Sequence, residues 1–406
     1  MHSRTRRDAR AMRIALLTNI VPPYRLPVYR DLATTPGWAL RVMLCAEGET
    51  GFGRAHEGAF ERVRRDLDLE VVRGWSFPRP MSTGAAGEAR QVVDSHVPLG
   101  ALAALCRLRP DVIVSAELGA RTAIAALYAR STRTPLVIWS YPSRASAAGM
   151  GAVRLAWSRA VLARAQAVVG MGTQAREALV SLGVPSARLF DAPNACDRET
   201  LEAALARVEP SAMRATLRAS LGCRPRIALV VGRLVPAKGV RPLLAAWRQL
   251  SPQRRRDWSL LFVGDGPLAR EVRDAATSME PGAVIHAGSV PAADVVNFYA
   301  AAELLVFPSL GDPWGLVVNE ALTCGLPVVC SRLAGCADDL VRPGDNGWIF
   351  DPSDRGAAVA VLAEALASSR LARLGERARE TAKRFGPDVM ANGLRRAIAH
   401  AASRSA

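Results

Sequence analysis

Lysine is nearly absent from this chain. Of 53 basic side chains only Lys238 and Lys383 are lysines, so arginine is written wherever a generic positive charge suffices. An ammonium at a given position therefore asks for a reason. Long apolar runs are missing too: none reaches the roughly 18 residues of a membrane span. The stretch 1–23 places arginines ahead of apolar residues, as an export signal does, but its apolar part is short, follows Arg13 directly and ends in no small-residue cleavage site. It reads as a tail and a first strand. The seven cysteines form no CxxC pair and no His-assisted metal spacing, which excludes a zinc module and fits reduced thiols in a cytoplasm. Zinc-finger spacing, an aromatic RNA-binding signature and a basic helix with heptads are all lacking, so nucleic acid is set aside as a partner in spite of a net charge of +16.

What is present is a folded chain. Its 406 residues are half apolar and 22% charged, enough for two domains of about 200 residues each. The basic excess leans toward the first half, which suits an anionic membrane face or a phosphate-bearing substrate, although a solvated arginine surface accounts for it as well. Short apolar runs at 13–18, 41–46, 111–116, 135–140, 165–171 and 187–192 alternate with Ala- and Leu-rich helical patterns such as 99–108 and 120–131. After a break at 193–197 the alternation restarts, with runs at 226–232, 259–264, 283–288, 304–309, 327–331 and 347–350. Continuous apolar strands alternating with helices predict parallel sheets covered on both faces. The expected fold class is α/β: two doubly wound, Rossmann-like parallel-sheet domains facing across a cleft, with ligands at the carboxyl ends of the strands.

Two stretches just after strands carry the chemistry. Run 226–232 ends in Gly232, Arg233 follows, and a Pro-containing loop leads to Lys238 and Gly239 at the start of a helix. Such a corner offers free N–H groups and a positive helix end, which suits a phosphate. Arg233 can fork onto one phosphate while Lys238, a compact point charge, meets another. The second stretch is DPWGLVVNE, with Asp312 in a loop, Gly315 and Leu316 at a helix start and Glu320 inside the helix. A loop acid and a helix acid at that distance can accept hydrogen bonds from two hydroxylated parts of one ligand.

Together these stretches resemble the retaining glycosyltransferases of family 4, which have the GT-B fold, and the opening TNIVPPYRLPVYRDLA resembles bacterial surface-polysaccharide members. The resemblance implies a nucleotide-diphosphate sugar, UDP- or GDP-linked, as co-substrate, with no other cofactor and no metal. Arg233 and Lys238 would hold the diphosphate, Asp312 the donor-sugar hydroxyls, Gly232, Gly315 and Leu316 backbone contacts, Glu320 the ribose, and Ser289 and Val290 the base. Tyr24, Arg25 and Tyr141 would face the sugar or acceptor, Tyr141 standing where many relatives carry a histidine. The implied acceptor is a glycan, lipid-linked, reached by a cytoplasmic protein on the inner membrane face. Residues 1–195 would be the acceptor domain and 196–386 the nucleotide-sugar domain, with a last helix near 387–406 packing back on the first.

Rival signals exist. GMGTQA at 170–175 satisfies a dinucleotide-type G-x-G-x-x-A turn with Asp191 about 20 residues on, as an NAD(P) oxidoreductase requires. GDGPLA at 264–269 matches the same pattern without the acid, which shows how readily βα turns produce it. Asp66 and Asp68 spell D-x-D, a metal site in another transferase fold, yet alternate acids on a charged strand commonly form a solvated face. His286 stands alone after a strand and reads as structural. The helix 151–167, with Arg154, Arg159 and Arg164, suits an anionic surface or an ordinary core helix with snorkelling arginines. A periplasmic binding protein would need an export signal, and a pyridoxal-dependent phosphorylase a buried lysine that neither Lys238 nor Lys383 resembles.

Overall fold

The computed structural model describes residues 10–46, 64–83 and 89–404. Its first sheet contains β1 (Met12–Thr18), β2 (Trp38–Leu44), β3 (Asp68–Val71), β6 (Val112–Ala116), β7 (Leu136–Trp139), β8 (Ala167–Gly170) and β9 (Leu189–Asp191). They lie side by side in the order β3-β2-β1-β6-β7-β8-β9, every pair parallel. The second sheet contains β10 (Arg226–Val231), β11 (Trp258–Val263), β12 (Val284–Gly288), β13 (Leu304–Phe307), β14 (Val328–Ser331) and β15 (Gly347–Phe350), in the order β12-β11-β10-β13-β14-β15 and again all parallel.

Both sheets are apolar on both faces because helices cover both. Along β1, Ile14 and Leu16 join one buried cluster while Ala15 and Leu17 join another on the opposite face. In β10, Ile227 and Leu229 face one layer and Ala228 and Val230 the other. Full burial of a Leu or Ile side chain contributes about 1.5–3 kcal/mol, so period-2 alternation between two covered faces fixes the strand register. The last helix, Pro387–Ser403, sends Met390, Leu394 and Ile398 into the same cluster as Ile14 and Leu16 of the first sheet. Gly393 permits that approach, since a Cβ there would stand 2.1 Å from the Asp191 carbonyl oxygen. Arg395 adds an ion pair with Asp31 and donates to Thr35 Oγ1 at 3.1 Å.

One element departs from the sequence reading. Strands β4 (Trp75–Thr83) and β5 (Ala89–Val97) form an antiparallel ribbon outside the main sheet, and β5 comes against the turn Pro236–Lys238 of the second half. Pro78 and Pro80 interrupt the pattern of β4, a two-stranded edge being where proline is tolerated. The D-x-D acids are also placed differently: Asp68 opens β3 and pairs with Arg41 at 2.9 Å, whereas Asp66 precedes that strand and pairs with Arg30.

Candidate active site

In a doubly wound sheet the ligand crevice opens where neighbouring strands run off in opposite directions. Here those points lie between β1 and β6 in the first sheet and between β10 and β13 in the second. Four loops leave these strands. They carry Tyr24 and Arg25 after β1, Glu117 after β6, Gly232 to Lys238 after β10, and Asp312 to Gly315 after β13.

In the second half the two stretches read from sequence meet. Lys238 ends the short turn Pro236–Lys238 and forms an ion pair with Asp312, its ammonium 5.6 Å from the Phe307 ring centre. Asp312 also accepts from the Trp314 N–H at 3.1 Å. Burial pushes its carboxyl upward, but the Lys238 charge and hydrogen bond, the Trp314 N–H and the Arg233 charge overcome this and hold it below the usual range. Two glycines make the approach possible. Gly239 has φ +70° and a Cβ there would lie 1.9 Å from the Pro308 carbonyl oxygen. Gly315 has φ +108°, and a Cβ would enter the Phe307 ring at 2.6 Å. The helix Leu316–Thr323 then starts with Leu316 half-buried, four residues after Asp312.

Glu320 lies farther along that helix and is held separately. The Tyr299 hydroxyl donates to its Oε2 at 2.7 Å, and burial pushes the Glu320 carboxyl above its ordinary range in spite of that hydrogen bond. Arg233 is exposed at the mouth of the loop, Ser289 is exposed and Val290 half-buried just beyond β12. His286 is anchored, its Nε2 2.9 Å from the Gly264 carbonyl oxygen.

The first half holds a cluster that the sequence reading found only in part. Tyr141 donates its hydroxyl to Glu117 Oε1. Asn19 Nδ2 donates to Glu117 Oε2 at 3.3 Å and the Arg121 guanidinium lies 3.4 Å from the same oxygen. Burial favours a neutral Glu117, but Arg121, Tyr141 and Arg25 together keep the carboxyl below its usual range. Glu117 has φ +66°, a left-handed conformation that costs a non-glycine residue about 1–2 kcal/mol, with its N–H bonded to the Trp139 carbonyl at 2.7 Å. Arg25 stacks over Trp139, 4.6 Å from the ring centre. Glu117 and Arg121 were missed as lone charges without a spaced partner. The signal available was position, Glu117 being the first residue after a fully buried strand.

The rival dinucleotide turn is already filled. Asp339 of the second half accepts from the Thr173 N–H at 2.9 Å and from Thr173 Oγ1 at 2.8 Å, at the start of the helix Gly172–Ser181 where a pyrophosphate would sit. Gln174 Nε2 donates to the carbonyls of Arg332 and Ala334 at 3.2 and 3.0 Å, and Arg144 pairs with Asp338 at 2.9 Å. This turn is a seam between the halves. Trp314 adds to it, donating to Asn319 Oδ1 at 2.7 Å while Asn319 Nδ2 donates to the Asn194 carbonyl at 3.3 Å. Among the described residues no group of three or more His, Cys, Asp or Glu side chains could hold a metal ion.

These two facing sheets define the GT-B glycosyltransferase fold. Residues 8–195 match the glycosyl transferase 4-like domain and residues 214–383 match the glycosyl transferases group 1 domain, so the chain is built from a pair of glycosyltransferase domains. Anabaena HepE, solved in complex with UDP, superposes with a TM-score of 0.72 at 21% identity, covering 96% of this chain and 99% of that one. Sucrose-phosphate synthase from Thermosynechococcus elongatus superposes with a TM-score of 0.65 at 19% identity, over 95% and 98% of the two chains. In sequence, a D-inositol 3-phosphate glycosyltransferase of Catenulispora acidiphila is 37% identical over 205 residues, 45% of each protein. The O-antigen chain mannosyltransferase B of Escherichia coli is 32% identical over 143 residues, 34% of this chain and 36% of that protein. The chain thus spans less than half the length of these two curated relatives.

Proposed function

We propose that the protein transfers a sugar from a nucleoside diphosphate to a glycan acceptor, with retention at the anomeric carbon, in polysaccharide biosynthesis. The observation that carries this reading is the meeting of Lys238 with Asp312 at the β10/β13 crevice, with Arg233, Gly315 and Glu320 on the adjoining loop and helix. The diphosphate sits on Arg233, Lys238 and the Gly232 backbone. The sugar lies toward Asp312, Gly315 and Leu316, the ribose on Glu320, and the base against Ser289 and Val290. Tyr24, Arg25 and Tyr141 serve the sugar or acceptor side.

In the reaction the bond from the anomeric carbon to the donor phosphate breaks and the acceptor oxygen bonds to the same face. The acceptor proton passes to a phosphate oxygen of the leaving diphosphate. Negative charge grows on that diphosphate, and Arg233 and Lys238 stabilise it in place. Asp312 keeps Lys238 aimed until a donor arrives; a single-point ammonium can then leave the carboxylate for a phosphate. UDP in the HepE structure supports the donor class, and the O-antigen chain mannosyltransferase and D-inositol 3-phosphate glycosyltransferase among the relatives support glycosyl transfer.

The acceptor is proposed to be lipid-linked and met at the inner membrane face. No helix of the described residues is long and apolar enough to cross a membrane, and exposed Trp75, Phe77, Leu99 and Leu102 in the basic first half support a peripheral attachment. Sedimentation with anionic liposomes at low salt tests it, absence of binding ending that part of the reading.

A thermal-shift panel of UDP, GDP, ADP and CMP tests the donor site. One of UDP or GDP is expected to stabilise the protein, by about 2.7 kcal/mol at one hundred times its Kd, and CMP to do little. Equal and negligible shifts with all four would remove the assignment.

A further inference from the structure

Three arginines are buried among the described residues, and two of them have a carboxylate in ion-pair contact. Arg121 has Glu117, Asn19 and the Ala116 carbonyl, with only its Nε left unpartnered. Arg255 has Glu280 and the carbonyls of Trp247, Arg248 and Leu250. Arg25 is different. It is 6% exposed, forms no ion pair with a described residue, and its Nε is buried without a hydrogen-bond partner. Aromatic rings surround its guanidinium, Trp139 at 4.6 Å, Tyr141 at 5.6 Å and Tyr24 at 5.7 Å. The neighbouring carboxylate, Glu117, is already engaged by Tyr141, Asn19 and Arg121.

Ring faces attract a cation but do not replace the charged partner that a desolvated guanidinium needs. A buried fork of donors that feels Glu117 only through space, with no carboxylate in ion-pair contact, is a site for an incoming acid. Arg25 follows β1 at the crevice of the first sheet, on the opposite half from Arg233 and Lys238. The acid it awaits is therefore separate from the donor diphosphate held in the second half.

We propose that Arg25, walled by Tyr24, Trp139 and Tyr141, recognises an anionic oxygen group, a carboxylate or phosphate, carried by the transferred sugar or by the acceptor. This rests on the glycosyl-transfer reading and narrows its substrates to acidic sugars.

The test compares the wild type with Arg25→Gln and Arg25→Lys by calorimetric titration. One arm uses UDP-glucose against UDP-glucuronate, and GDP-mannose against GDP-mannuronate. The other adds glucose, glucuronate or glucose 6-phosphate to protein saturated with UDP or GDP. The acidic member of at least one set is expected to bind about tenfold more tightly to the wild type, 1.4 kcal/mol. That preference should vanish in Arg25→Gln and return in part in Arg25→Lys. Preference in the donor arm assigns the acid to the transferred sugar, and preference in the second arm assigns it to the acceptor. The proposal is overturned by equal binding of acidic and neutral compounds to the wild type, or by a preference that survives in Arg25→Gln. It is also overturned if Arg25→Gln weakens UDP or GDP alone as much as the acidic donors, since Arg25 would then serve the diphosphate. A wild type that binds neither UDP nor GDP defeats the donor reading itself, a result visible before any variant is compared, and takes this proposal with it.

Discussion

Lys238 stands where a guanidinium would behave differently. An arginine facing Asp312 would fork onto both carboxylate oxygens and stay there, whereas an ammonium makes one movable contact. Lys238→Arg is accordingly expected to keep the fold and lose at least tenfold in turnover, and Lys238→Ala to lose about 10²- to 10³-fold, measured as release of nucleoside diphosphate. The pair also sets an acid limit. Asp312 is ionised in the fold at pH values where an unfolded aspartate still binds a proton, so it adds stability above the unfolded pKa that is lost as pH falls through the depressed folded value. Removing Lys238 should move the acid-unfolding midpoint upward. Glu320 has the reverse sign. Its folded pKa is raised, so the fold binds a proton that the unfolded chain has released, and stability declines as pH rises through that window. Glu320→Gln keeps an acceptor for the Tyr299 hydroxyl and removes the buried charge. The variant should unfold at higher urea concentration at neutral pH while binding nucleotide at least tenfold more weakly, because an amide accepts ribose hydroxyls less well than a carboxylate. The residues of this pair of motifs were legible because each lies just after an apolar strand run. Glu117 and Arg121 were not, because what joins them to Tyr141 and Asn19 is contact between loops of different strands, which no local spacing records.

At the scale of elements, the crevice depends on turns tight enough to bring β10 and β13 loops together. Gly239 is the narrowest point. Alanine there would need φ +70° and a Cβ inside the Pro308 carbonyl, so the turn Pro236–Lys238 must shift. Gly239→Ala should cost about 1–2 kcal/mol in backbone strain plus repacking, and reduce turnover far more than its stability loss explains. Steady-state kinetics well below the melting temperature separate the two effects. The twelve strands expected from apolar runs are twelve of the thirteen members of the two sheets, with ends differing by at most three residues, and the thirteenth is the charged edge strand β3. They were readable because a strand covered on both faces must be apolar throughout. The ribbon β4/β5 follows no such rule. It contains two prolines and pairs antiparallel as a ribbon of two strands outside the parallel sheets.

For the molecule as a whole, the order of the chain and the order of folding units differ. Pro387–Ser403 follows the second half in sequence, yet Met390, Leu394 and Ile398 fill the core beneath β1 and β8 of the first. The chain therefore crosses between the halves twice, once at 193–197 and again before Pro387. Stability should then be partitioned by core and not by sequence. Leu394 is fully buried against the first sheet, so Leu394→Ala is expected to cost about 2–5 kcal/mol. In scanning calorimetry with saturating UDP or GDP, the nucleotide should raise the transition of the second half, which carries Lys238, Asp312 and Glu320. Leu394→Ala should lower the other transition and leave the nucleotide-dependent shift in place. Should the lowered transition instead be the one that nucleotide raises, the last helix would be supporting the donor half, and the first sheet would have to hold its core together without it.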